Sequence, residues 1–410
     1  MGTCLICGSG FGPFLSFGKM PIANGFLAPE EFAQEHFFEL SVGFCPSCTM
    51  VQLVNLVDRE RMFHSSYAFY SSTSVRMAEH FRGFAETVLS DHLRRENPFV
   101  VEIGSNDGIL LRHFAERGIR HLGVEPSTNV AKVAIDRGIR TVCEFFDEEL
   151  AERILSEDGE ADAILGANVI CHIPYLHSLL AGVARLLSPS GVFLFEDPYL
   201  GDILEKTSYD QIYDEHAFYF SVSSVGRMVA RHGMEVFDVR PQDVHGGSMR
   251  YCIARKGAKR VTEAVSARMA REEAMGMGRQ ETYDRFRRNV ERSREELIGL
   301  LRDMKAKGKR VAGYGATSKS TTVTNYCGIT PDLVEFISDT TPIKQGKYSP
   351  GAHIPVRPYE EFLVRRPDYA LLFAWNHARE ILAKERNFLD SGGRFIAYVP
   401  EVGILSRELP

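Results

Sequence analysis

The sequence predicts an α/β protein built from an N-terminal zinc-binding module, a central Rossmann-like domain and a second Rossmann-like domain at the C-terminus. Two C-x-x-C pairs open the chain, Cys4/Cys7 and Cys45/Cys48. Short apolar runs then alternate with amphipathic stretches, as in a parallel sheet with crossover helices. The alternation starts again near Arg310, after a long charged stretch. At 410 residues the chain exceeds what one ordinary core holds, and the pattern divides it into 1–86, 87–257 and 258–410.

Composition narrows the classes of function. Hydrophobic content of 44% and charged content of 25% are those of a soluble globular protein. A net charge of −6 gives no grip on a nucleic-acid backbone. The opening MGTCLICGSG has neither the basic nor the apolar region of a signal peptide. No apolar run nears the ~18 residues of a membrane span. A cytoplasmic protein with no nucleic-acid or membrane partner is expected. In that reducing setting the eight cysteines point to metal rather than disulfides.

Each C-x-x-C pair can bite one ion through a tight turn, and Cys4, Cys7, Cys45 and Cys48 together supply the thiolates of a closed tetrahedral Zn²⁺ site. Such a site leaves no open position, so the zinc is expected to be structural. Cys143, Cys171, Cys252 and Cys327 stand singly among apolar residues and read as core.

The middle block offers strands FVVEIG (Phe99–Gly104), HLGVE (His121–Glu125), DAILGAN (Asp162–Asn168) and GVFLFE (Gly191–Glu196). The first runs into the turn of VVEIGSNDG and then a predicted helix, ILLRHFAERG. Gly104 and Gly108 let the backbone approach a ligand at a helix N-terminus. The turn lacks the GxGxxG dinucleotide fingerprint. Instead Glu102 opens it, and Glu125 closes the next strand about twenty residues on, where a carboxylate can take ribose hydroxyls. Acid before the glycine turn and acid after the second strand is the pattern of S-adenosylmethionine (SAM) binding in a class I methyltransferase fold. Glu102, Gly104, Asn106, Asp107, Gly108, Glu125 and Asn168 are the expected cofactor contacts.

Between Lys259 and Lys309, Phe286, Val290, Leu297, Leu301 and Met304 recur near helical spacing among charges of alternating sign. That spacing predicts a long surface or bridging helix. The last block begins with RVAGY (Arg310–Tyr314) and continues through LVEFIS (Leu333–Ser338), YALLFA (Tyr369–Ala374) and RFIAYV (Arg394–Val399). Its GYGATSK turn puts Thr317, Ser318 and Lys319 at a helix N-terminus, which suits a pyrophosphate or a plain helix cap. Asp339 ends the next strand, where a dinucleotide fold carries its acid, but the rest of that fingerprint is missing.

Several further motifs complete a recognisable order: NVICHIP (Asn168–Pro174), YDEHAFYFS (Tyr213–Ser221), HGGSMR (His245–Arg250), DTTPIKQGKYSPGAHIPV (Asp339–Val356) and WNHAREI (Trp375–Ile381). With the zinc module, EIGSNDG and GYGATSKSTTVTNYCGI (Gly313–Ile329), the chain resembles the bacterial SAM-dependent nucleotide-sugar C-methyltransferases over nearly its whole length. The resemblance, to the zinc-containing deoxysugar C-3 type, implies a part in deoxysugar and antibiotic biosynthesis. It implies a C-terminal domain that helps hold the nucleotide-sugar, with thymidine diphosphate as the usual carrier. It places the catalytic base in the tyrosine-rich segment, carried over to His216, Tyr213 and Glu215, with His172 and an upstream tyrosine, Tyr67 or Tyr70. Substrate contacts are expected at Tyr67, His245, Ser248, Tyr314, Thr317, Ser318, Lys319 and Lys344, and less strongly at Tyr348 and His353. A monomer or weak homodimer is expected. Asn106 stands where many other methyltransferases carry Gly.

The chemistry is consistent with those residues. A new C–C bond needs a carbon nucleophile, and a sugar carbon beside a ketone becomes one by losing its proton. The reaction needs a base, a stabiliser of the oxyanion and a site that excludes water. His216 is the expected base, since an ordinary imidazole is largely neutral at working pH. Tyr213 or Tyr70 can donate to the enolate oxygen. Glu215 points elsewhere if the segment is extended, and binds sugar hydroxyls or anchors the loop. His172 falls at the sheet edge where ligands meet such folds. The alternatives are methylation at C-5, or on oxygen or nitrogen of a sugar or other small molecule. An RNA-modifying protein is disfavoured by the net acidic Met1–Glu60, and a scaffold role leaves YDEHAFYFS without a purpose.

Overall fold

In the computed structural model the described residues are 2–58, Met62, Ser71 and 75–405. Strands β1 (Gly2–Thr3), β2 (Gly10–Pro21), β3 (Phe37–Phe44) and β4 (Val51–Leu53) pair in sequence as an antiparallel sheet. Two register shifts in β2, between Pro13 and Leu15 and between Ser16 and Gly18, break its alternation, which is why this block shows little period as a sequence. The cysteine pairs lie on the turns after β1 and between β3 and β4. Each turn closes on itself, Gly8 N–H on Cys4 O at 2.9 Å and Thr49 N–H on Cys45 O at 2.8 Å.

The central sheet contains β5 (Phe99–Ile103), β6 (Arg120–Val124), β7 (Thr141–Val142), β8 (Ala161–Ala167) and β9 (Leu187–Pro198), with the hairpin β11 (Met234–Gln242) and β12 (Ser248–Arg255) at one side. Its order is β11-β12-β9-β8-β5-β6-β7, seven strands with β12 antiparallel to both neighbours. Every residue of β5 is buried, as expected of a strand covered on both faces. The four strands read from the sequence fall on β5, β6, β8 and β9. After β5 the chain builds outward to β7 and then returns to β8 on β5's other side. That reversal opens a crevice at the C-terminal ends of β5 and β8.

Three expectations are corrected here. ILLRHFAERG forms only a short helix, Arg112–Ala115, because Ile109, Leu110 and Leu111 all turn into the core before it begins. The stretch Lys259–Lys309 is two helices, Glu263–Ala274 and Gln280–Ala306, broken where Gly276 takes a φ of +73°. The division after residue 86 falls inside the helix Val75–Asp91.

The YDEHAFYFS segment also crosses between units. Its strand β10 (Phe218–Tyr219) is the last strand of the N-terminal sheet, with Phe218 opposite Gln52 and Tyr219 opposite Val51. The C-terminal unit holds β13 (Val311–Tyr314), β14 (Ile337–Ser338), β15 (Val356–Arg357), β16 (Tyr369–Leu372), β17 (Arg394–Ala397) and β18 (Gly403–Ile404). Their order is β15-β14-β13-β16-β17-β18, parallel but for β18. Among the described residues no helix is long and apolar enough to cross a membrane.

Glu272, 2% exposed, pins the first linker helix to the central unit. Its carboxylate accepts the Tyr199 hydroxyl at 2.9 Å and the backbone N–H groups of Val222 and Ser223 at 2.6 and 2.9 Å. Glu272→Ala strands those buried donors and is expected to lower stability by about 3 kcal/mol, whereas Glu272→Gln, which keeps an acceptor, recovers part of it. Urea unfolding of the two variants checks this.

Candidate functional site

A cleft with about 910 Å³ of free space opens at the ends of β5 and β8. Gly104, Asn106, Glu125 and Asn168 line it on one side, with Phe145, Phe146 and Tyr175 among its apolar lining. Gly104 sits at φ +67°, and a Cβ there would lie 2.4 Å from Val169 Cγ2, so only glycine fits the turn. The Glu125 carboxylate accepts the backbone N–H of Asn106 at 3.0 Å and of Ser127 at 2.8 Å, tying the glycine turn to the next loop. Burial pushes its pKa up. Asn168, at φ +54°, holds a buried Oδ1 with no partner among the described residues.

Of the seven expected cofactor contacts, Gly104, Asn106, Glu125 and Asn168 therefore reach the cleft. Glu102 stays inside, 3% exposed, with its carboxyl raised far above the usual range by burial and then by Glu125 and Asp107. Asp107 faces Arg137 at 3.5 Å, and Gly108 backs onto Ile139 and Ala134. They support the turn. A cradle that a Cβ would fill, a waiting amide oxygen and a carboxylate placed for hydroxyls fit SAM.

His172 also lines the cleft, and its ring stacks on that of His216, 5.2 Å between centroids. The His216 Nδ1–H donates to Gln211 O at 2.8 Å, which leaves Nε2 to accept the Tyr213 hydroxyl at 2.8 Å. Burial, followed by the neighbouring His172, pulls the His216 pKa well below the ordinary value. Burial alone takes His172 to about 4. Loss of hydration is the first cause at both rings and keeps the pair neutral. Cys171 completes a Cys–His–His cluster, but burial and the adjacent Asp197 push its thiol far up, which favours a protonated sulfur over a metal ligand.

The two acids of YDEHAFYFS hold the segment to the N-terminal unit. Asp214 Oδ1 accepts the Ala23 N–H at 2.9 Å, and Glu215 Oε1 accepts the Asn24 amide at 2.6 Å. Burial, with Glu215 beside it, takes Asp214 to about 8. Lys319 and His245 stand near the histidine pair, from the C-terminal unit and the β11–β12 hairpin, and each opposes a proton on His216. Lys319 is 8% exposed and its pKa is lowered by burial.

Other expected substrate contacts have local employment. Ser248 donates to Val244 O, the Tyr314 hydroxyl bonds to Glu385 at 2.7 Å, and Thr317 caps the helix Ser318–Cys327 by accepting the Ser320 N–H. Ser318 is that helix's half-buried first residue. Lys344 donates to Ala316 O at 2.8 Å and lies over the Phe26 ring. Tyr348 and His353 pack on Phe32 of the N-terminal unit. Asp339 accepts the Ala316 and Thr341 N–H groups, a brace within its own unit. Tyr67 and Tyr70 lie outside the described residues.

Sequence reasoning missed Gln211, whose backbone carbonyl carries no residue signal, and the buried Glu196, held by His80 at 2.6 Å and by Arg250. The only hint of the latter was an acid closing an apolar strand.

The four N-terminal sulfurs lie within 4.8 Å of one another, with Cys4–Cys48 and Cys7–Cys45 each at 3.5 Å. The edge of a tetrahedron with ~2.3 Å Zn–S bonds is about 3.8 Å, so the donors fit Zn²⁺ with small adjustment.

Cleft, fold and thiolate cage define a SAM-dependent methyltransferase with a structural zinc site. Three family patterns match: a zinc binding domain at 4–63, a methyltransferase domain at 101–195 and a C-methyltransferase C-terminal domain at 243–400. The C-methyltransferase NovU of Streptomyces niveus is 38% identical over 99% of this chain and 97% of its own. The chain belongs to the C-methyltransferase family. A dimethylglycine N-methyltransferase of Parasynechococcus marenigrum is 28% identical over 28% of this chain and 42% of its own. Among solved structures, the magnesium protoporphyrin IX methyltransferase of Synechocystis PCC 6803 is 12% identical, with a TM-score of 0.35 over 48% of this chain and 89% of that one.

Because β10 hangs on β4 of the zinc sheet, removing the metal should disturb the His216 segment before it disturbs the cleft. Chelation, or Cys45→Ala, is expected to abolish turnover while SAM binding stays within a few-fold of native. Metal analysis alongside calorimetric SAM titration checks this.

Proposed function

We propose that the chain methylates carbon, at C-3, of a thymidine-diphosphate-linked 4-keto-deoxysugar, with His216 as the base. The observation that supports this is the orientation of one ring: Nδ1–H is taken by Gln211 O and Nε2 accepts from Tyr213, beside the cofactor cleft. Bound SAM supplies an electrophilic methyl group. His216 Nε2 takes the proton from the carbon next to the ketone, becoming an imidazolium whose Nδ1–H is already held by a carbonyl. The Tyr213 O–H, released from Nε2, then donates to the enolate oxygen. Asp214 and Glu215 keep the segment on the N-terminal unit through Ala23 and Asn24. Lys319 and His245 stand on the side from which the nucleotide diphosphate approaches. The N-terminal, central and C-terminal sheets then serve as scaffold, cofactor unit and nucleotide-sugar unit.

His216→Asn is expected to lower turnover by ~10²–10⁴ while SAM affinity is kept. Mass and NMR spectra of the product from TDP-4-keto-6-deoxy sugars must place the new methyl on carbon. Retention of deuterium at both positions flanking the ketone rejects the mechanism. A base works only when unprotonated, and burial lowers this one's pKa. The acid limb of kcat/KM should therefore lie below the ~6.5 of a free imidazole, with activity lost as pH falls through it.

A further inference from the structure

We infer that Asp210 is a positioning residue for His216, locked in place from the C-terminal unit by Trp375 and Tyr398. The inference rests on the reading of His216 as the base. Asp210 lies on the short helical turn Tyr209–Gln211 and is fully buried. Its Oδ2 receives the Trp375 Nε1–H at 2.6 Å and the Tyr398 O–H at 2.8 Å. Trp375 follows β16 and Tyr398 follows β17, so two strand ends of the C-terminal sheet meet on one carboxylate of the central unit. Charge-assisted bonds of this kind are short and directional, and they fix the turn to about the precision of the sheet that supplies them.

The next residue carries the consequence. Gln211 O is the acceptor that decides which nitrogen of His216 bears the proton, and the Gln211 side-chain amide donates to His245 O. A shift of Asp210 moves that carbonyl and loosens the choice of tautomer. The same indole closes on Gly246, where a Cβ would lie 2.3 Å from Trp375 Cη2, and Lys319 Nζ sits 4.9 Å above its ring. One side chain thus touches the HGG turn, the turn that holds the base, and the buried lysine. The clamp gives HGGSMR and WNHAREI a shared purpose. Glycine at 246 is the space the indole needs.

The test uses the full zinc-loaded chain and three conservative variants, Trp375→Phe, Tyr398→Phe and Asp210→Asn. Exchange of the substrate's ketone-adjacent proton in D₂O without SAM reads the base directly. A displacement of 1 Å can cost about 10²-fold, so Trp375→Phe and Asp210→Asn should slow kcat and this exchange together by about that factor, and Tyr398→Phe by less. KM for SAM should not move. The acid limb of kcat/KM should rise toward ~6.5 as the ring is freed. Tyr398→Phe keeps its ring and carries the test if Trp375→Phe does not fold. Native exchange rates and an unmoved acid limb in the soluble variants overturn the inference, as does an effect confined to sugar KM. If His216→Asn remains active, the base reading fails first and takes this one with it; if His216→Asn is dead and the clamp variants are native, only the clamp falls.

Discussion

The two residue pairs that join β10 to β4 fix where the His216 segment stands on the N-terminal sheet. They take a segment that belongs by sequence to the central unit and register it on the sheet closed by the cysteine turns. Leu53 N–H extends the ladder to Ala217 O at 2.9 Å, one residue from His216. Asp214 and Glu215 then add two carboxyl acceptors for the Ala23–Asn24 loop. A two-residue strand is marginal alone, and it is held by the sheet whose turns carry the four cysteines. A metal held by those cysteines would steady the sheet that carries the His216 segment.

Burial governs the electrostatics of the site. Asp197 is raised to about 8 and Asp214 to about 8, while His172 falls to about 4 and His245 to about 3, each mainly by loss of water. Desolvation acts on acids and bases alike by penalising charge, so the interior around the cleft is close to neutral near pH 7. Glu196 is the exception. Burial opposes its charge, but His80 and Arg250 outweigh burial and hold its pKa below the ordinary value. A neutral interior keeps the dielectric low, and a low dielectric lengthens the reach of each remaining hydrogen bond.

The fold was largely legible in the residues, because a parallel strand buried on both faces is a run of apolar residues and a C-x-x-C turn is local. The cofactor turn was legible for the same reason: Gly104 is demanded by Val169 packing on it, and Glu125 by the turn's own N–H groups. What stayed hidden depends on chain crossings. No local pattern says that Phe218 pairs with Gln52, or that Tyr398 reaches Asp210. Ser248, Tyr314 and Thr317 looked like ligand contacts because hydroxyls near glycine turns serve caps and braces equally well, and periodicity cannot tell the two apart. Gln211 acts through its carbonyl, which every residue has.

The stacked pair of histidines limits what the site can do. With 5.2 Å between ring centroids and both affinities lowered, a proton on His172 opposes one on His216. In the proposed reaction the pair takes one proton, at Nε2 of His216, the nitrogen left unprotonated by the Nδ1–H bond to Gln211 O. Enolate formation releases one proton and needs one oxyanion donor, and His216 Nε2 and the Tyr213 hydroxyl are one proton acceptor and one donor. Methylation of a hydroxyl makes a lighter demand, since the oxygen is already a nucleophile and its proton can leave late. A buried, singly basic pair with an attached phenol is more than an oxygen acceptor requires, and this asymmetry of need is what favours carbon.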